Sequence, residues 1–132
     1  MRASFIIPGK PFAWRRPRFN RASGATFNDG KQEGYFSVVA SIAQRHFNAP
    51  MEGPVGLTVT ATFAMPKSWS KKKREAMFGH PHTQKPDLSN LQKAIEDALN
   101  RVAFGDDSQV ASATTSKSWG LQDQTAVIVE NL

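Results

Sequence analysis

From Val55 to Met65 every second residue is apolar: Val55, Leu57, Val59, Ala61, Phe63 and Met65 alternate with Gly56, Thr58, Thr60, Thr62 and Ala64. Successive side chains of a strand point to opposite faces, so this stretch predicts a half-buried strand and a sheet covered on one side. Two stretches are suited to cover it. Tyr35, Val38, Val39, Ile42, His46 and Phe47 recur at three- and four-residue spacing and predict an amphipathic helix ending before Pro50. Leu88, Leu91, Ile95, Ala98, Leu99 and Val102 form a second apolar stripe, with Ser89, Asn90, Lys93, Glu96 and Asp97 on the opposite face. Ser68 or Ser70 is placed to cap a short basic helix running from Lys71 to Phe78. Ala3 to Ile7, closed by Pro8-Gly9, reads as a first strand. Gln109 to Thr115 and Thr125 to Val129 read as two more, joined around Ser118-Trp119-Gly120. The order strand, helix, strand, helix, helix, strand, strand predicts an α+β fold. A single domain over residues 1–132 is expected, with a mixed or antiparallel sheet of about four strands packed by two main helices.

Charge is distributed unevenly along the chain. Through Lys85 there are 14 basic and 4 acidic side chains; from Pro86 onward there are 3 basic and 7 acidic. The net +6 makes a polyanion the first partner to consider. The long loop at about residues 10–30 opens with Lys10-Pro11-Phe12-Ala13-Trp14-Arg15-Arg16-Pro17-Arg18-Phe19 and continues to Arg21. Its cations and interleaved aromatics suit contacts to phosphates together with stacking on unpaired bases. The bland alternative has Phe12 and Trp14 packed under the loop and the arginines solvated. Lys71, Lys72, Lys73 and Arg74 are either a second DNA-binding surface or a solvated helix face, and Lys85 is a further candidate phosphate contact.

The chain has no cysteine, which excludes disulfide scaffolds, thiolate metal sites and thiol nucleophiles. No apolar run approaches the roughly 20 residues of a membrane span. Phe5-Ile6-Ile7 is too short for a signal sequence. A cytoplasmic protein without a membrane partner is expected. The acidic residues of interest are Asp87, Asp106 and Asp107, two of them in a turn beyond the helix that the first one opens. Brought together by the fold, they would suit Mg²⁺ or Mn²⁺, with Lys93 stabilising charge on a phosphate. The alternative is a helix cap at Asp87, a capping box from Ser89 to Gln92, and ordinary turn chemistry at Asp106-Asp107. His80 and His82 have the spacing of a metal pair but lack further ligands, and a loop role near Asp87 is expected; His46 is expected to be structural or at an interface.

Three segments together are recognisable: Lys85-Pro86-Asp87-Leu88-Ser89-Asn90-Leu91-Gln92-Lys93, then Asp97-Ala98-Leu99-Asn100, then Phe104-Gly105-Asp106-Asp107-Ser108-Gln109-Val110. They resemble the signature of the RusA family of Holliday junction resolvases. The resemblance implies a RusA-like fold and a homodimeric, Mg²⁺-dependent endonuclease, with Mn²⁺ as substitute metal, that nicks four-way DNA junctions symmetrically in recombination and repair. Such enzymes are bacterial or phage-borne. It makes Asp87 and Asp107 metal-binding catalytic carboxylates, Lys93 the catalytic lysine, and Asp106 a further metal ligand. Ser89 departs from the pattern, standing where the family has an aspartate; it is left as a helix cap at a substituted ligand position. The alternative implied by that departure is a junction- or single-strand-DNA-binding protein whose cleavage is weak or lost.

Overall fold

The covered sheet anticipated from residues 55–65 is the centre of the computed structural model, which describes residues 1–27 and 30–132. Residues 28 and 29, at the end of the expected loop, lie outside the described residues. In chain order the elements are β1 (Arg2–Pro8), β2 (Arg18–Phe19), β3 (Thr26–Phe27), α1 (Gly30–Ala43), β4 (Val55–Ala64), α2 (Lys71–Met77), α3 (Leu88–Leu99), β5 (Val110–Gly120) and β6 (Gln124–Asn131). A 3₁₀ turn at Asp107–Gln109 leads into β5.

The main sheet has the order β1-β6-β4-β5. β6 is antiparallel to both β1 and β4, and β4 runs parallel to β5. The sheet is therefore mixed, and its parallel pair needs the long crossover that α2 and α3 provide. One face buries Phe5, Ile7, Leu57, Val59, Val127 and Val129 against Val39 and Ala43 of α1 and Ile95 and Leu99 of α3. A second cluster joins Ala61, Phe63, Met65 and Trp119 to Leu91 of α3. His82 is 5% exposed and lies 4.1 Å from the Phe63 ring and 4.3 Å from Trp119, centroid to centroid. It lies in the expected loop, between α2 and α3, but as a core histidine packed between aromatic rings. His46 stacks on Phe5 at 5.4 Å.

Local chemistry explains where the elements stop. Ser70 caps α2, its hydroxyl accepting from the Lys73 N–H at 3.1 Å. The cap position of α3 belongs to Asp87, with no side-chain cap bond, while Ser89 is an exposed residue inside the first turn. The capping box expected from Ser89 to Gln92 does not form: Gln92 donates to Glu96 and accepts from the Thr115 hydroxyl. α3 ends at Leu99, short of Val102. β5 continues through Ser118-Trp119-Gly120, because Phe63 and Trp119 pair side by side into the second cluster. Within the basic loop, β2 and β3 form a two-residue antiparallel ladder. It is closed by a turn in which the Asn20 side chain accepts from the Ala22 N–H and Gly24 takes φ +71°.

Candidate active site

The acidic turn is built by Gln109. Its carboxamide oxygen accepts from the N–H groups of Gly105 (2.8 Å) and Asp106 (3.1 Å), and its nitrogen donates to the carbonyls of Met51 (2.9 Å) and Gly53 (3.0 Å). One neutral side chain thus ties the turn to the segment before β4. Asp106 is spent locally: the Ser108 side chain and, at 3.0 Å, the Ser108 N–H both engage its exposed carboxylate and lower its pKa. Asp107, half-buried, is the turn's contribution to the site.

Asp107 meets Asp97, carboxyl group against carboxyl group. Burial raises the Asp97 pKa above its ordinary value; the Lys93 charge opposes this, and the Asp107 carboxyl adds to it. The Trp14 side chain beside Asp97 also opposes the rise, and Trp14 carries the Lys93 ammonium 4.6 Å from its ring centroid. Ser89, Lys93 and Asp97 follow one another at four-residue steps, so they share a stripe of α3. Asp87 lies ten residues before Asp97, about 15 Å away along the helix axis. The sequence-derived carboxylates are therefore divided: Asp107 joins Asp97 at one end of α3, Asp87 caps the other, and Lys93 stands between. Among the described residues no three His, Cys, Asp or Glu side chains gather closely enough to hold a metal ion by themselves.

Asp87 instead lines a cleft of about 490 Å³ with Lys10, Phe12, Arg15, Lys85 and Asn90. Both walls are fixed. Buried Gln32 of α1 clamps Arg15 from both sides, accepting from its N–H at 2.6 Å and donating to its carbonyl at 3.1 Å. Phe12 stacks on Tyr35 at 5.0 Å, and the Trp14 N–H donates to the Asn90 carbonyl at 2.9 Å. Opposite, Lys117 donates to the carbonyls of Gln84 (2.7 Å) and Pro86 (2.8 Å), holding the strap around the cis Lys85–Pro86 bond. Of the other cations, Arg16, Arg18, Arg21, Lys71 and Lys72 are exposed. Lys73 lies 4.3 Å over Trp69, and Arg74 donates to the Pro66 carbonyl at 3.0 Å, which gives it a structural task. Trp14 and Phe12 are half-buried in contacts with the protein, closer to the packed alternative than to free stacking platforms.

A family model described as endodeoxyribonuclease RusA matches residues 8–130. The chain belongs to the RusA family. It is also 35% identical to the protein YqaN of Bacillus subtilis (strain 168), over 97% of this chain and 95% of that protein. Membership makes the chain a DNA nuclease by family, and RusA nucleases are generally dependent on a divalent metal. The family's metal is compatible with the donors present. Hard carboxylate oxygens are what Mg²⁺ and Mn²⁺ take. A partly buried Asp97–Asp107 pair is a place where a cation would relieve the repulsion between two carboxylates.

Asp97, Gln109 and Lys117 belong to this arrangement but were not among the candidate residues read from the sequence. Asp97 carried a signal, since it stands one turn beyond Lys93 on the polar face of α3 and opens the Asp-Ala-Leu segment. Gln109 lay within the motif, but nothing in one sequence separates a motif residue that reacts from one that holds the backbone. The partners of Lys117 lie more than 30 residues away, and no local pattern marks them.

Proposed function

We propose that the chain is a divalent-metal-dependent endonuclease that resolves four-way DNA junctions by paired nicks, acting as a homodimer in the cytoplasm of a bacterium or on behalf of a phage. The observation that carries this is the Asp97–Asp107 carboxyl pair beside Lys93, on a helix whose opposite end enters a basic cleft at Asp87. Asp107 and Asp97 would hold the metal at one end of α3, with Asp87 the remaining acidic position at the other; Mg²⁺, or Mn²⁺ in its place, would supply Lewis acidity and an activated water. Asp106 adds negative charge close by but gives its oxygen to the turn. Lys93 stabilises charge building on the phosphate. Lys10, Arg15 and Lys85 receive the backbone in the cleft, and Arg16, Arg18, Arg21, Lys71 and Lys72 extend the positive surface along the junction arms, contacts that position without reading sequence.

The homodimer is supported by the open face of the sheet. There Ser4 and Ile6 of β1, Ala126 and Ile128 of β6, and Thr58 and Thr60 of β4 lie side by side without a charged side chain among them. Ile6 is 55% exposed. A two-fold pair of such faces would give two equivalent sites for a near-symmetric junction.

The deciding experiment is cleavage of a synthetic four-way junction with Mg²⁺, Mn²⁺ or EDTA. Wild type is expected to cut with either metal and not with EDTA. Asp107→Asn and Lys93→Ala are each expected to slow cutting by about 100-fold or more. Cutting at the wild-type rate by both variants would sink the proposal. A DNA-binding protein with little cleavage is the second reading, favoured by the exposed hydroxyl of Ser89 where the family carries a carboxylate. Ser89→Asp separates the two. For a working nuclease the change is below about threefold, because the Asp97–Asp107 pair already supplies two carboxylates; a gain of about tenfold or more at unchanged junction affinity supports the binding protein. Equal affinity for single strands and junctions at matched salt would point away from junctions altogether.

A further inference from the structure

The sequence offers Trp14 as a stacking surface for bases, and the structure gives it other work. Phe12, Ala13 and Arg15 line the basic cleft, but Trp14 does not. Its side chain reaches α3, where it carries the Lys93 ammonium 4.6 Å from the ring centroid and stands beside the Asp97 carboxyl. Its backbone N–H is fixed to the Asn90 carbonyl, one turn earlier on the same helix. One residue therefore touches α3 at three levels: Asn90, Lys93 and Asp97. The next residue, Arg15, is clamped by Gln32 and faces the cleft.

We propose that Trp14 is a positioning residue: it holds Lys93 and Asp97 in their mutual arrangement and ties that arrangement to the backbone of the loop that receives DNA. This rests on the nuclease function proposed above. A lysine side chain has four rotatable bonds and a strongly hydrated head; without a surface to lie on, its ammonium samples many positions. The indole supplies that surface through its negative face, and its N–H adds a donor beside the Asp97 carboxyl, which meets Asp107 on its other side. A displacement of the loop at Arg15 is transmitted through a single peptide bond to the indole, and so to both side chains.

A base-stacking residue and a positioning residue differ in what its loss changes. Trp14→Leu removes the ring and the N–H; Trp14→Phe keeps a ring for the ammonium but no donor for Asp97. Junction affinity, measured without divalent metal at one salt concentration, is expected to stay within about threefold of wild type in both, since each phosphate contact of the loop remains. Single-turnover cutting at saturating protein is expected to fall about tenfold or more in Trp14→Leu and less in Trp14→Phe. Parallel losses of affinity and cutting would mark Trp14 as a DNA contact and overturn the proposal, as would wild-type cutting by Trp14→Leu. If Trp14→Leu does not fold, Trp14→Phe alone decides: reduced cutting at unchanged affinity supports the proposal, and unchanged cutting overturns it. An independent readout is the ring-current shift of the Lys93 ε-methylene protons in protein carrying ¹³C-labelled lysine, assigned with Lys93→Met. The upfield shift is expected in wild type and Trp14→Phe and lost in Trp14→Leu; its absence from wild type overturns the proposal without bearing on whether the protein is a nuclease. Wild-type protein that shows the shift and cuts no DNA with any metal overturns the nuclease assignment instead, and with it the role of Trp14.

Discussion

Gln109 makes four hydrogen bonds to main-chain groups and none to a charged partner. Two are donated by its nitrogen, so Gln109→Glu, nearly identical in shape, would set carboxylate oxygen against the carbonyls of Met51 and Gly53. Either that change or Gln109→Ala is expected to cost about 2–4 kcal/mol in urea unfolding, with cleavage reduced because Asp107 loses its seat. Gln109→Glu as stable as wild type would refute this role. Asp97→Asn keeps the size of the side chain but removes one of two adjoining carboxylates; junction binding is expected to persist while cutting drops about 100-fold, read from the same gel. At this scale the sequence was partly legible. Asp107 and Lys93 could be marked from the motif, whereas Asp97 carried only its place one turn beyond Lys93, and its meeting with Trp14, more than 80 residues earlier, could not be read. Asp106 and Asp107 are neighbours with opposite fates, one turned to a backbone N–H and one to the site, and only the dihedral angles of the 3₁₀ turn distinguish them.

The strand at β4 and the stripe of α3 follow directly from alternation and from three-and-four spacing, and the element order is the predicted one apart from the short β2–β3 ladder inside the expected loop. What the pattern could not supply was the length of β5. Ser118-Trp119-Gly120 looks like a turn by composition, and only pairing with Phe63 and Ala64 makes it strand. Gly120 has a steric reason as well: a Cβ there would collide with the Thr62 methyl group. The strap between α2 and α3 is pinned by His82 between two aromatic rings. Burial, followed by the Lys117 charge, holds the imidazole pKa below 6.5. As pH falls below 6.5, the unfolded chain binds the proton first; stability, full at neutral pH, is expected to decline until the folded-state value is passed and then level off. Urea melts from pH 7.5 to 5 on wild type and His82→Phe test this, the variant losing that component of the slope. In the loop, Arg16→Ala and Arg18→Ala are each expected to lower the slope of log affinity against log salt by about 1. An unchanged slope in both would remove the loop from the phosphate-binding surface.

For the whole molecule, the +6 charge resolves into regions with different tasks. A basic cleft and loop stand at one end of α3 and a carboxyl pair at the other, while the open face of the sheet is uncharged at its centre. The homodimer proposed above predicts that Ile128→Lys on that face gives a monomer in light scattering where the wild type gives a dimer, with the helix-side core intact; a variant that remains dimeric would move the interface elsewhere, and a monomeric wild type would overturn the homodimer. The order β1-β6-β4-β5 has a consequence in time. During synthesis β1 and β4 emerge early, yet each is hydrogen-bonded to β6, which follows them by more than 60 residues in the case of β4. Until Gln124–Asn131 leaves the ribosome, the nascent chain carries two incomplete sheet edges and a half-made core. Its folding thus waits for residues 124–131, and a chain broken off before residue 124 would meet the cell's proteases with β1 unpaired and β4 held on one side only, by β5.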